Sequence, residues 1–218
     1  MKKSDLITTL INKFDLEIIN STNMSKEIKL TDPLPIESID FRVQSINRGG
    51  YATILAYKDA RVDMQRLDDA VGHLNWKREH TRDNKNCVVS IYDLEKKEWI
   101  SKEDTGTESF TEAEKGLASD SFKRACFNWG IGRELYDYPA IQIKLIECSK
   151  DSSGKYKNDG EYYLYKDNNG KERAKQTFNL NLKNWKWISE FKDGFICALA
   201  CKDSKGKVRF NWGEFTKK

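Results

Sequence analysis

The run from Lys115 to Tyr136, KGLASDSFKRACFNWGIGRELY, constrains the fold more than any other stretch of the chain. Its apolar residues recur at helical spacing, and it then stops on Gly130 and Gly132. At about 100° per residue, Ala118, Phe122, Ala125, Cys126 and Trp129 gather on one side, and Gly116, Ser119, Asp120, Lys123 and Arg124 occupy much of the other. The apolar side must be buried. The polar side sets tiny residues beside two adjacent cations, so another backbone can come close while positive charge faces it. A phosphate backbone suits that arrangement better than a small metabolite does.

Around this helix the pattern predicts an α+β core. Tyr51–Tyr57 reads as a strand, and Asp59 can cap a helix through Leu74. Lys77–Arg82, Cys87–Asp93 and Trp99–Asp104 form a three-stranded antiparallel meander, with β-branched and aromatic CVVSIYD its strongest member. Thr111 and Glu114 make a capping box that opens the closing helix. Upstream, Ser4 can cap a helix over Leu6–Phe14. Pro33 and Pro35 rule out a regular element in TDPLPIESIDFRVQS, and Asn47–Gly50 supplies a turn. Beyond Pro139 the texture becomes β-rich, with short strands expected at Ile141–Cys148, Glu161–Lys166, Gln176–Leu182, Phe195–Cys201 and Val208–Glu214. Turn clusters at Asp151, Asp167, Lys192 and Asp203 separate them. Three regions follow: residues 1–32, an N-terminal helix and arm; 33–139, the core; and 140–218, a β-rich C-terminal extension.

Composition narrows the function. The chain has 218 residues, of which 38% are hydrophobic and 33% charged, as a globular domain requires. No apolar run approaches the ~20 residues of a membrane span, and the N-terminus breaks to polar residues too soon for a secretory signal; a cytoplasmic location is expected. A net charge of +4 neither demands nor excludes a polyanionic partner. Five cysteines, an odd number, fit reduced thiols, and no second pair joins Cys197 and Cys201 at zinc-site spacing. Neither a metal nor another cofactor is expected.

Enzymatic signatures are poor. GxxxxGK[ST] is missing, and GIGR follows a helix where dinucleotide binding needs a strand. Glu112 and Glu114, or Asp63, Asp68 and Asp69, could hold magnesium for a nuclease, but helix capping and solvated faces explain them equally well. Lys123 and Arg124 are the leading binding residues, since a guanidinium grips phosphate bidentately and an ammonium serves as a mobile charge. A surface pair between Arg124 and Asp120 is the plain alternative, worth about 0.3–0.5 kcal/mol. Arg42, Arg61, Arg66, Lys77, Arg78, Arg82 and Arg133 are supporting cations. Tyr57, Trp76 and Tyr92 could stack on bases, although Trp76 reads better as core.

FRVQS, YKDARVDMQRLDDAVGHLNW, CVVSIYD, EDTG after Trp99, and the SDSFKRA…GIGRELYDYP run together resemble the Sak/DdrA-type single-strand annealing proteins of the Rad-fifty-two superfamily of recombinases. The resemblance covers about Leu34 to Pro139. It implies a β-β-β-α annealing core that assembles into homo-oligomeric rings or filaments. These bind single-stranded DNA without ATP or bond chemistry and anneal complementary strands in recombination and repair. An exonuclease or a single-strand-binding protein is the further partner it implies, in a bacterial or phage setting. By the same resemblance Lys123 and Arg124 floor a DNA groove, Arg42 and Tyr57 line it, and Lys115 lies near the DNA. Phe127 stands where eukaryotic members carry a further arginine, with Arg133 the available replacement, and Lys96 and Lys97 could belong to a second DNA site. The alternatives are a magnesium-dependent nuclease and a passive single-strand coating protein.

Overall fold

The structure, a computed structural model, describes residues 28–107 and 113–216. Eleven strands and two α-helices are present among them, and all pairings between named strands are antiparallel. The expected helix at Leu6–Phe14 and the Thr111 cap lie outside the described residues.

The first sheet starts earlier than the prolines suggest. Pro33 and Pro35 do keep the chain irregular, but only as far as a single 3-10 turn at Ile36–Ser38. Strand β1 (Asp40–Ile46) follows at once and pairs with β2 (Tyr51–Tyr57) across the Asn47–Gly50 turn. FRVQS is therefore a strand, not an irregular connection. Asp59 then caps α1 (Ala60–Val71) by accepting from the backbone N–H of Arg61. The helix ends at Val71, three residues short of the expected Leu74, because Gly72 leaves the helical region and leaves Leu74 exposed.

Strands β3 (Trp76–Thr81), β4 (Asn86–Asp93) and β5 (Glu98–Thr105) form the meander, and α2 (Ala113–Asn128) packs across one face of it. Register explains which face. Trp76, Arg78 and His80 align with Ile91, Val89 and Cys87, and these with Ile100, Lys102 and Asp104. Period-2 alternation puts all nine on the helix side. Phe122, Ala125 and Cys126 fill the interface with no exposed surface. Arg78 sits over the Phe122 ring and Lys102 over the Trp129 ring, at 4.7 and 4.4 Å. Ser121 is also fully buried, its hydroxyl held by the Asn84 and Ala118 carbonyls. A close backbone does meet this helix, at Ser121 and Leu117 on its buried side, and it is the chain's own. A Cβ on Gly106 would fall 2.6 Å from the Ser121 nitrogen, so only glycine lets the end of β5 lie on the helix.

The C-terminal extension is joined to this core. Strand β6 (Ile141–Lys144) adds to β2 in the first sheet. A hairpin of β7 (Tyr162–Lys166) and β8 (Glu172–Gln176) follows, then a sheet of β9 (Lys186–Lys192), β10 (Phe195–Lys202) and β11 (Val208–Gly213). Gln176–Leu182 is not a strand; the strand lies earlier, at β8, and β9 has no counterpart among the expected elements. Its alternation, Trp187, Ser189 and Phe191 against Lys186, Ile188 and Glu190, is diluted by charge. The Trp187 ring stacks flat on Phe41 of β1 at 3.6 Å. Arg209 of β11 lies over Trp185 and donates to Glu161, Asp203 and the Lys144 carbonyl, tying the last sheet to β6. Buried apolar residues from both halves form one continuous core.

Candidate nucleic-acid interface

A cleft of about 550 Å³ opens where the end of β2 faces α2 and the 3-10 turn Arg133–Tyr136. Tyr57 and Lys58 come from the β2 side, and Lys123, Arg124 and Phe127 from the helix, with Asp104 and Asp120 also in the lining. The adjacent cations thus stand on the wall of a continuous depression. Lys123 is half-buried and Arg124 exposed.

Arg124 does not pair with Asp120. Its Nε lies 3.3 Å from Asp104 Oδ1 on β5, and Asn128 holds the other oxygen of that carboxylate. Asp120 is occupied by the Thr107 N–H and hydroxyl. With the Arg124 side chain 50% exposed, the pair belongs to the class worth about 0.2–1 kcal/mol. A charge-assisted bidentate contact to phosphate exceeds that, at about 1.5–3 kcal/mol, so Arg124 can exchange one for the other.

Arg42 projects from β1 over the Tyr57 ring at 5.3 Å. Asp40 pairs with Tyr57 and Arg42 with Leu55, so the contact is a cross-strand diagonal. Tyr57 is half-buried, and burial raises its phenol pKa. It keeps an aromatic edge in the cleft beneath a cation.

Beneath Lys123 the cleft floor contains a feature the sequence did not disclose. Lys58 is buried and ion-pairs with Asp63, which has no exposed surface and leaves Oδ2 without a hydrogen-bond partner. Burial pushes the Asp63 carboxyl up to about 6, against the opposing pull of Lys58 and, further off, Lys123. Gly132 makes the pair possible. It is left-handed at φ 74°, and any Cβ there would collide with the Lys58 side chain. The turn after the helix therefore does more than end it; it roofs a buried cation.

The remaining expected residues are dispersed. Arg61, 85% exposed, folds back on Asp59 at 2.9 Å, outside the cleft lining. That contact holds the Asp59 carboxyl below its ordinary range. Arg133 donates to the Phe127 and Asn128 carbonyls and caps the C-terminus of α2, with its guanidinium 5.5 Å from the Phe127 ring. Arg66 is buried and binds the backbone carbonyls of Lys29, Asp32 and Pro33, so it is a structural arginine. Lys96 and Lys97 occupy the β4–β5 turn, seven residues along β5 from Asp104 and so roughly 23 Å from the cleft. Lys77 lies over Trp99 on the sheet face away from α2, beside Tyr92. Trp76 is core, stacked near Phe122 with its N–H on Asp68. The Lys115 side chain lies outside the described residues.

Among the described residues no three His, Cys, Asp or Glu side chains come together as metal ligands. Asp68 and Asp69 accept from Trp76 and Gln65, while Asp63 holds Lys58. No described helix is long and apolar enough to cross a membrane.

Residues 24–153 match the family model described as Rad52/22 family double-strand break repair protein. The single-stranded DNA-binding protein DdrA of Deinococcus radiodurans is 32% identical over 114 residues, 51% of this chain and 54% of that protein. The match thus spans about half the length of that relative. No solved structure matches the chain. The family model covers more than half of the residues and includes both walls of the cleft, so this chain belongs to the Rad52/22 family of double-strand break repair proteins.

Proposed function

We propose that the chain binds single-stranded DNA along the β2–α2 cleft and anneals complementary strands, without ATP and without breaking bonds. The observation that carries this reading is the pairing of Lys123 and Arg124 on one wall of the cleft. Their side chains reach solvent, and the only carboxylate within ion-pair range of Arg124 among the described residues is one it can give up cheaply. Adjacent helical residues diverge by about 100°, so the two cations take successive phosphates. Arg42, over the Tyr57 ring beside the cleft, adds a third positive charge.

Annealing follows from that placement. Cations on one side of a strand neutralise phosphates and reduce repulsion from an incoming complement, while the bases point outward and remain free to pair. Contacts to the backbone carry no sequence information, so the protein accepts any sequence. The DdrA relative's description as a single-stranded DNA-binding protein supports the substrate class. Assembly into a homo-oligomeric ring or filament would extend the cleft from subunit to subunit and set many bases in one row.

The test is strand annealing by Lys123→Ala with Arg124→Ala. The double variant should fold with an unchanged melting temperature and lose acceleration of renaturation between complementary oligonucleotides. Normal annealing would remove the site. Speeding renaturation separates annealing from passive coating, and intact labelled strands after incubation with magnesium separate it from a nuclease.

A further inference from the structure

The β7–β8 hairpin carries an aromatic ladder that the core fold does not need. One face of the hairpin is spent on packing, with Tyr162 buried and Leu164 and Ala174 against the core. The other face presents Tyr163 and Tyr165, and Tyr156 from the preceding loop continues the row. Ring centroids step by 5.7 and 6.3 Å, and the rings are tilted by 43° and 55°. Tilted rings leave faces that they do not cover for one another. Tyr165 is 42% exposed and forms part of a cleft of about 640 Å³ between this hairpin and the β1–β2 turn, which brings Arg48 to its other side.

Cations accompany the rings. Lys150 sits 4.7 Å above the Tyr156 ring. Lys175 is the cross-strand partner of Tyr163 and Arg173 that of Tyr165, with Lys171 in the cleft. Three of the nearby acids are held by turn hydrogen bonds, and Glu172 also lines the cleft. Asp151 accepts from Ser153 and Lys155 backbone N–H groups, and Asp159 from Ser149. Asp167 accepts from Asn169, Lys171 and Arg173. These bonds hold all three carboxyls below their ordinary range. Three carboxylates are thus committed to turns, though still charged, while lysines border the tyrosines. Tyrosine is common in strands for packing reasons alone, but three contiguous rings on the unpacked face, bordered by lysines, match a base-stacking surface with phosphate contacts beside it.

We infer that the Tyr156–Tyr163–Tyr165 ladder and the Arg48 cleft are a second contact surface for single-stranded nucleic acid, with bases on the tyrosines and phosphates on the flanking cations. The ligand class rests on the reading of the first cleft; the location does not. The hairpin lies beyond residues 24–153, where the family match ends. It adjoins the Gly50 end of β2, where Tyr162 approaches Gly50, whereas the first cleft is at the Tyr57 end. The length of β2 separates the two surfaces by about 20 Å.

Photo-crosslinking of a bromodeoxyuridine oligonucleotide to the full chain, read by mass spectrometry, tests this directly. Adducts should appear on Tyr163 or Tyr165 in the wild type and persist in the Lys123→Ala, Arg124→Ala variant. Tyr163→Leu with Tyr165→Leu should weaken oligonucleotide binding about five- to ten-fold, while the corresponding phenylalanine variant binds as wild type. The inference is overturned by no adduct on residues 156–176, by leucine and wild-type proteins of equal affinity, or by equal competition by an acidic peptide. Leucine variants that lose affinity only together with folded structure would overturn it too. Unchanged binding by the Lys123→Ala, Arg124→Ala variant would count against the first cleft and leave the ladder to be judged on its own adducts.

Discussion

Arg124 on the cleft wall and Arg209 beneath the C-terminal sheet both approach aspartates, at 3.3 and 3.2 Å, but their surroundings differ. The Arg209 side chain is 5% exposed, lies on Trp185 and has four hydrogen bonds to Glu161, Asp203 and the Lys144 carbonyl. The Arg124 side chain is half exposed, with one ion pair. Residue type and a nearby carboxylate therefore do not distinguish an arginine available to a ligand from a structural one. What distinguishes them is how fully the donors are used before any ligand arrives. By that measure Arg66 stands with Arg209, and Lys123 and Arg42 with Arg124.

The contrast breaks most visibly at Arg209. Arg209→Ala removes the guanidinium shared by Glu161 and Asp203, which keep only backbone donors from Ile146, Lys205 and Lys207, and should give the largest stability loss of this set. Chemical denaturation should show that loss, with DNA affinity of the folded fraction unchanged. The Lys58–Asp63 pair sharpens the comparison, because it is buried like Arg209 yet adjoins the cleft, which Lys58 lines. Asp63 titrates near 6 when folded against an ordinary value of 3.8, so between those values the folded state binds more protons. Its stabilising contribution is fullest below about 4 and is lost as pH rises through 6, on the order of 3 kcal/mol. Subtracting the pH–stability curve of Asp63→Asn from that of wild type should reveal this slope, which runs opposite to that of the paired surface carboxylates. Lys123→Ala with Arg124→Ala should weaken oligonucleotide binding by about 100-fold with no loss of stability in the same denaturation assay. Asp104→Asn gives the smallest effect: a stability change within about 0.5 kcal/mol and an affinity about two-fold higher, since Arg124 no longer has a competing anion.

Where structure depends on local periodicity, the sequence discloses it. The α2 run, the CVVSIYD strand and the turn at Asn47–Gly50 all lie where spacing and turn chemistry put them. The cation pair is legible for the same reason, since a helix that buries Phe122 and Ala125 must turn Lys123 and Arg124 away. Strand β1 was obscured by Pro33 and Pro35, whose restriction ends sooner than composition suggests. Strand β9 was obscured by its charges. The partners of the charged residues were the least accessible. Asp104 reaches Arg124 only through the β5–α2 packing, and Glu161 reaches Arg209 across 48 positions. Gly132 carries a signal as a glycine after a helix, but its second role, leaving room for Lys58, emerges only from the tertiary fold.

The most direct measurement is the salt dependence of oligonucleotide binding by wild type and by the Lys123→Ala, Arg124→Ala variant. Each phosphate neutralised on a single strand contributes about 0.7 to the slope of log affinity against log salt. If two successive phosphates rest on these side chains, the variant's slope should be shallower by about 1.4. Parallel lines for the two proteins would contradict the account, because they would mean that neither cation touches the strand.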